Sequence, residues 1–220
     1  MSTRAVFLDA GGTLVAPRAS VGEIYALRAE SFGVRADATE IDRGFRDAFA
    51  AAPPLAFPDL MPGELLAREQ AWWRQVVRRA FAEHVFDDFE AYFQSLYDDF
   101  ASAEAWEVYA DVIPVLENLR GRGVSLGVIS NFDQRLVPLL EDCGLASYFD
   151  SFTFSSAVGY AKPDRRIFAS ALSRHGVEPE EALHAGDSER EDILGARAAG
   201  MKGVLVRTNG AGLEAVLDGL

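Results

Sequence analysis

The sequence predicts an α/β fold, a parallel sheet with helices on both faces, and three observations carry that reading. Short apolar runs alternate with amphipathic segments at 4–9, 111–122, 124–130, 133–143, 151–155, 164–175, 182–186, 191–199 and 202–206. Alternation of this kind builds a parallel sheet, because each return to the same sheet edge needs a crossover helix. Gly123, Gly144, Gly176 and Gly200 each stand where a helix must stop before the next strand. Residues 17–109 break the pattern and read as helices alone, at 20–32, 38–51, 63–84 and 86–101, punctuated by Gly33, Pro53-Pro54, Pro58 and Pro62. The expected organisation is a Rossmann-like core of residues 1–16 and 110–220 with a helical insertion, 17–109, after the first strand. Pro17 and Ala110-Asp111 are the expected hinges.

Composition narrows the function classes. A chain of 220 residues with 49% apolar and 11% aromatic content can bury a sizeable core. The net charge of −13 disfavours nucleic acid and anionic membrane as partners, since both attract basic surfaces. Cys143 is the only cysteine, so no intramolecular disulfide can form, and its place near a helix end suits a small buried apolar residue. No apolar run approaches the length of a membrane span. Met1-Ser-Thr-Arg leads directly into the first strand, so no signal peptide is expected, and a reducing cytoplasm is the expected location.

Four segments carry the chemistry. Val6-Phe-Leu-Asp9 is a buried strand that delivers one carboxylate to its tip, followed by the tight turn Gly11-Gly12-Thr13. Leu126-Gly-Val-Ile-Ser130-Asn131 ends another strand in a hydroxyl with a free backbone N–H, a pair able to hold an oxyanion oxygen. Lys162 is one of only two lysines among 21 basic residues and precedes Pro163; a compact ammonium suits a position between a carboxylate and a phosphate. Leu183-His-Ala-Gly186-Asp187 places an acid at a third tip, with Asp192 five residues on, and hard oxygen ligands of this kind suit Mg²⁺. Each segment alone also fits a plainer role: a loop acid, a helix N-cap or a surface lysine. All four fall in order at strand tips, where open parallel sheets bind their ligands.

This constellation resembles the haloacid dehalogenase superfamily of aspartate-nucleophile hydrolases, and the resemblance spans nearly the whole chain. The run Ile129-Ser-Asn-Phe-Asp-Gln-Arg-Leu and the middle region are most similar to the subfamily of haloacid dehalogenase-like hydrolase domain-containing protein 3. The resemblance implies a phosphatase acting on a small phosphorylated molecule, with 17–109 as a helical cap. It implies Asp9 as nucleophile and metal ligand, and Lys162 as the cation that neutralises nucleophile and phosphate. Thr13, Ser130 and Asn131 would bind substrate. The Gly11 carbonyl, Asp187 and Asp192 would complete a Mg²⁺ site with Asp9. A monomer and a homodimer are both open.

One position departs from the family. Its phosphatases usually carry a second aspartate two residues after the nucleophile, as general acid and base, and here that position is Gly11. General acid–base catalysis contributes about 10²–10⁴-fold, so substrates with poor leaving groups lose most. Glu23, Tyr25 and Arg28 in the next helix are candidates to replace it, or an ordinary helix face. Dehalogenases of the family attack carbon without Mg²⁺, and the Gly186-Asp187 pair with Asp192 argues against them. Phosphonate-cleaving members need a cap lysine, and no lysine precedes Lys162. The rival to a phosphatase is a regulatory protein that binds phosphate and Mg²⁺ with little turnover. Most insertion aromatics sit at helical spacing and read as core; Phe57, Trp72 and Trp73 are candidates to line a substrate pocket.

Overall fold

A computed structural model describes residues 2–61, 63–207 and 211–220. In chain order the strands and helices are β1 (Ala5–Leu8), β2 (Val15–Pro17), α1 (Val21–Glu30), α2 (Ala38–Ala51), α3 (Leu65–Ala80), α4 (Phe89–Asp99), β3 (Trp106–Val108) and α5 (Val112–Gly121). They continue with β4 (Ser125–Ser130), α6 (Leu136–Asp142), β5 (Ser151–Phe154), α7 (Ser155–Val158), α8 (Arg165–His175) and β6 (Ala182–Gly186). A π-helical turn (Glu189–Leu194), α9 (Gly195–Ala198), β7 (Lys202–Leu205) and α10 (Ala215–Asp218) end the chain. The elements fall into two compact units: Met1–Ala16, Leu55–Leu60 and Val108–Leu220 form one, and Pro17–Pro54 with Met61–Glu107 form the other.

The first unit is the α/β core that the sequence predicts. Its five strands lie in the order β5-β4-β1-β6-β7, with every pairing parallel. The register sets Ala5 of β1 beside Ser125 of β4 and Ala182 of β6. All four β1 residues and all five β6 residues are buried, as expected for central strands covered on both faces. On one face α8 turns Ile167, Phe168, Ala171 and Leu172 inward onto Ala5, Phe7 and Ile129. Burying side chains the size of Ile167, Phe168 and Leu172 stabilises by about 1.5–3 kcal/mol each. Asp164 caps α8 through a hydrogen bond from the Arg166 amide, and Gly176 ends it at φ 60°. Gly127 of β4 leaves room for two rings: a Cβ there would stand 2.7 Å from Phe7 Cδ1 and 3.0 Å from His175 Nε2.

The core also holds Leu55–Leu60, within the span expected to be insertion. The Ser155 hydroxyl donates to the Leu55 carbonyl at 2.6 Å, and a Cβ at Gly159 would stand 2.8 Å from Pro58 Cα, so this segment packs closely on α7.

The second unit has its own aromatic core: Tyr25, Phe81, Tyr92, Phe93, Leu96 and Tyr97 are buried together. Ser20 and Glu23 form a reciprocal capping box at the start of α1. Asp37 and Asp88 cap α2 and α4. Among the described residues, no helix is long and apolar enough to cross a membrane. Pro62 lies outside the described residues.

Candidate functional site

The sheet order carries acids and hydroxyls to one edge. β4, β1 and β6 are neighbours in the sheet. Ser130 ends β4, Asp9 follows β1 and Asp187 follows β6. Three side chains from distant parts of the chain therefore share the carboxyl ends of adjacent strands. The chain leaves β1 to one side and later returns to its other side, the arrangement at which open α/β sheets leave a crevice.

After β1 the Asp9 amide donates to the Ala185 carbonyl at 2.9 Å, so the ladder holds the chain one residue past the strand. The next residues fold back, with the Thr13, Leu14 and Val15 amides all donating to the Ala10 carbonyl. Gly12 takes φ 80°, and a Cβ there would stand 2.6 Å from Asp187 Oδ2. The turn thus needs glycine twice over, for its left-handed backbone and for the approach of Asp187. Gly11 differs: a Cβ there would meet nothing within 4 Å. Thr13 is fully buried, and its hydroxyl lies 3.5 Å from Asp187 Oδ1.

Lys162 is the cation of the site. Its side chain is 2% exposed, and Nζ donates to Asp9 Oδ1 at 2.7 Å and to Asp192 Oδ1 at 2.5 Å. Burial alone would lower its pKa; the charges of Asp9 and Asp192 outweigh that and raise it, so the ammonium persists. Asn131 fixes the backbone of the same residue. It accepts from the Lys162 amide at 2.7 Å and donates to the Lys162 carbonyl at 3.1 Å and to Glu191 Oε2 at 3.0 Å. The Lys162–Pro163 bond is cis.

Asp192 is buried and heavily engaged. Besides Lys162, it accepts from His184 Nε2 at 2.9 Å and from the Ser188 amide at 3.0 Å. Its pKa is held well below the usual range: burial opposes the shift, and Lys162 and His184 overcome it. The His184 imidazole is driven toward its neutral form chiefly by burial. With Nε2 donating to Asp192, Nδ1 is the bare nitrogen, and it has no partner among the described residues. Gly186 makes room for Asp192, whose carboxylate a Cβ would strike. The π-helical turn lets the Ser188 carbonyl accept from both Asp192 and Ile193, a widened turn of the kind found at functional sites.

Asp9, Asp187 and Asp192 each bring a carboxylate oxygen within 4.8 Å of the others. Burial first, and then the charges of Asp9 and Asp192, push the Asp187 carboxyl up to about 6. Such crowding of hard oxygen donors is what a divalent cation relieves, so the residues present fit Mg²⁺.

The structure brings Asp9, Lys162 and Asp192 into one bonded cluster with the Asp187 carboxylate beside it, Thr13 at its edge and Asn131 behind Lys162. Ser130 is buried at its strand tip, and Gly11 pairs with Val15 beside the turn. The three residues weighed as replacements for an acid at Gly11 are occupied elsewhere. Glu23 is in the capping box, Tyr25 is buried in the aromatic core, and Arg28 grips Asp99 at 2.6 and 2.5 Å. Sequence reasoning passed over His184, Glu191 and the buried Asp133–Arg135 pair (2.6 Å) that follows Asn131. His184 lies inside an apolar strand, and that was the available signal.

Comparison with known proteins agrees with this geometry. The family described as haloacid dehalogenase-like hydrolase matches residues 3–200. Haloacid dehalogenase-like hydrolase domain-containing protein 3 of Bos taurus is 38% identical over 209 residues, covering 94% of this chain and 82% of its own. Among solved structures, a HAD phosphatase from Thermococcus onnurineus is 26% identical with a TM-score of 0.64, covering 96% of this chain and 88% of its own. The L-2-haloacid dehalogenase of Xanthobacter autotrophicus shares the fold, with a TM-score of 0.71, 20% identity, and 99% and 84% coverage. A family match over residues 3–200 and 38% identity to a relative along most of the chain, together with Asp9 and Asp187 at the tips of one parallel sheet and Lys162 bonded to Asp9, place this protein in the haloacid dehalogenase-like hydrolase family.

Proposed function

We propose that the protein is a Mg²⁺-dependent phosphatase that transfers a phosphoryl group to Asp9. The observation that carries this reading is the contact of Lys162 Nζ with both Asp9 and Asp192 beside the half-buried Asp187. In the proposed step Asp9 attacks phosphorus, the bond to the leaving oxygen breaks, and an aspartyl phosphate forms. Lys162 holds its proton throughout and offsets charge on nucleophile and phosphate. The Thr13 and Ser130 hydroxyls and the Ser130–Asn131 backbone bind phosphate oxygens. Water then cleaves the aspartyl phosphate and restores Asp9. Asp9, Asp187 and the Gly11 carbonyl would hold the metal, with Asp192 supporting them through Lys162. When bound, Mg²⁺ supplies charge neutralisation at the transferring group.

Gly11 offers no group to protonate the leaving oxygen or to activate water. The reading therefore favours acyl and aryl phosphates, which leave as stable anions, and a slow second half-reaction. The open space beside Gly11 also supports a second reading, a phosphate- and Mg²⁺-binding protein of low turnover. Residues 17–54 and 61–107 would act as a cap that admits substrate and excludes water.

An acid-quenched reaction tests the proposal. After brief incubation with acetyl phosphate and Mg²⁺, peptide mass spectrometry is expected to find one phosphoryl group on Asp9, absent with EDTA. Turnover with no acyl phosphate at Asp9 would overturn it.

A further inference from the structure

We infer that Arg207, outside every motif above, is the positioning residue that fixes the turn following Asp9; for its effect on turnover the inference rests on the phosphatase reading. Arg207 follows β7 and takes φ 62°, the one left-handed non-glycine residue among those described. An L side chain is held there only when its surroundings compensate. Its contacts show what compensates. Nε and Nη2 donate to the Thr13 carbonyl at 3.1 and 3.0 Å. Nη1 and Nη2 donate to Asp111 at 2.8 and 2.7 Å in a bidentate pair. The guanidinium lies over the Tyr109 ring, 4.0 Å from its centroid. The side chain is 14% exposed, so solvent competes little for these donors.

The anchors are themselves tied to the same turn. The Tyr109 amide donates to the Leu14 carbonyl, so residue 109 and Arg207 hold successive carbonyls of the turn. The Leu213 amide donates to Asp111 Oδ2 at 2.7 Å, which keeps that carboxylate in place. Asp111 is held down to about 2; burial opposes the shift, and the Arg207 pairing prevails. Arg207 thus locks the peptide between Thr13 and Leu14, and with it the orientation of Thr13 and of the Gly11-Gly12 backbone beside the nucleophile. The role suits a planar fork: a guanidinium spreads its donors over three nitrogens in one plane and faces the Thr13 carbonyl and both Asp111 oxygens together, whereas an ammonium donates from a single atom and cannot reproduce that spacing.

Arg207→Gly keeps a backbone suited to φ 62° but removes the fork, and Arg207→Lys keeps the charge. In both, kcat for acetyl phosphate is expected to fall about 10–100-fold with KM little changed, because misplacement acts on the transition state. Free guanidinium at millimolar concentration is expected to restore part of kcat in Arg207→Gly and to leave wild type unaffected. Hydrogen exchange measured by NMR on substrate-free protein is expected to quicken at the Gly12, Leu14 and Val15 amides, with β1 and β4 unchanged. Wild-type kcat and wild-type protection of these amides in Arg207→Gly would overturn the inference. If wild type hydrolyses nothing and Gly11→Asp restores nothing, the phosphatase reading fails and exchange alone decides: a loosened turn upholds the positioning role, and an unchanged turn removes it. If Arg207→Gly does not fold, Arg207→Lys is read by the same criteria.

Discussion

Lys162 shows how one residue can hold a site together. Its ammonium is buried between two carboxylates, so removing it leaves Asp9 and Asp192 facing each other without a counter-charge. Breaking a buried ion pair on one side costs about 3–5 kcal/mol. Urea denaturation of Lys162→Met is therefore expected to show a loss of that size, and a loss below about 1 kcal/mol would mean that the charges are not buried as described. Gly12→Ala tests the opposite face of the cluster. Its Cβ would meet Asp187 Oδ2 at 2.6 Å on a backbone at φ 80°. Weaker Mg²⁺ binding by calorimetry is expected, and unchanged affinity would show that Asp187 does not need the glycine. Lys162 was legible because lysine is so rare in this chain, and Asp9 because an apolar strand ends on it. Arg207, Glu191 and His184 were not. Arginine is common here, and the roles of Arg207 and Glu191 arise from partners 194 and 60 positions away that only the folded chain brings near.

At the scale of elements, periodicity placed the strands closely and the helix ends less so. The strand expected at 182–186 is observed at Ala182–Gly186. The helix expected at 63–84 spans Leu65–Ala80, and that at 86–101 begins only after its cap, Asp88. The helix expected from 133 starts at Leu136, because Asp133 spends its carboxylate on the Arg135 amide and guanidinium. The segment expected as one helix over 191–199 divides into a π-helical turn and α9, a distinction that apolar spacing cannot register. The amino end of the sheet carries its own prediction. His175, at the end of α8, packs edge-on against Phe7 at 4.7 Å and hydrogen-bonds Ser125 and Ser151. Burial lowers its pKa from 6.5; Arg174 adds to the shift and Asp150 opposes it. A base with a lowered folded pKa binds its proton more readily when unfolded, so its contribution is present above the unfolded pKa and lost as pH falls through it. Thermal melts between about pH 8 and about pH 5 are expected to fall more steeply for wild type than for His175→Gln. Parallel curves would show that His175 is not held neutral.

For the whole molecule, the net charge of −13 surrounds the proposed phosphate site with a field that repels anions. Electrolyte screens such fields over about 10 Å at 0.1 M, so at saturating Mg²⁺ kcat/KM for acetyl phosphate is expected to rise with added salt. A fall would mean that the local potential near Lys162 dominates the approach. The α/β core was legible in the alternating pattern, and three of the four segments stand at strand tips as expected; the fourth does not, because α7 (Ser155–Val158) separates Lys162 from β5. The packing of Leu55–Leu60 on the core was not, because that segment lies between helices of the other unit in sequence and joins the core only through contacts such as Ser155 to Leu55.

The most direct measurement is steady-state hydrolysis of acetyl phosphate and p-nitrophenyl phosphate, with Mg²⁺ or EDTA, by wild type, Asp9→Asn and Gly11→Asp. Turnover that needs Mg²⁺ and vanishes in Asp9→Asn is expected. Gly11→Asp fits the open space beside the turn and is expected to raise turnover, by up to about 10²–10⁴-fold where the leaving group needs a proton. Full activity in Asp9→Asn, or none in wild type and none restored by Gly11→Asp, would contradict the account.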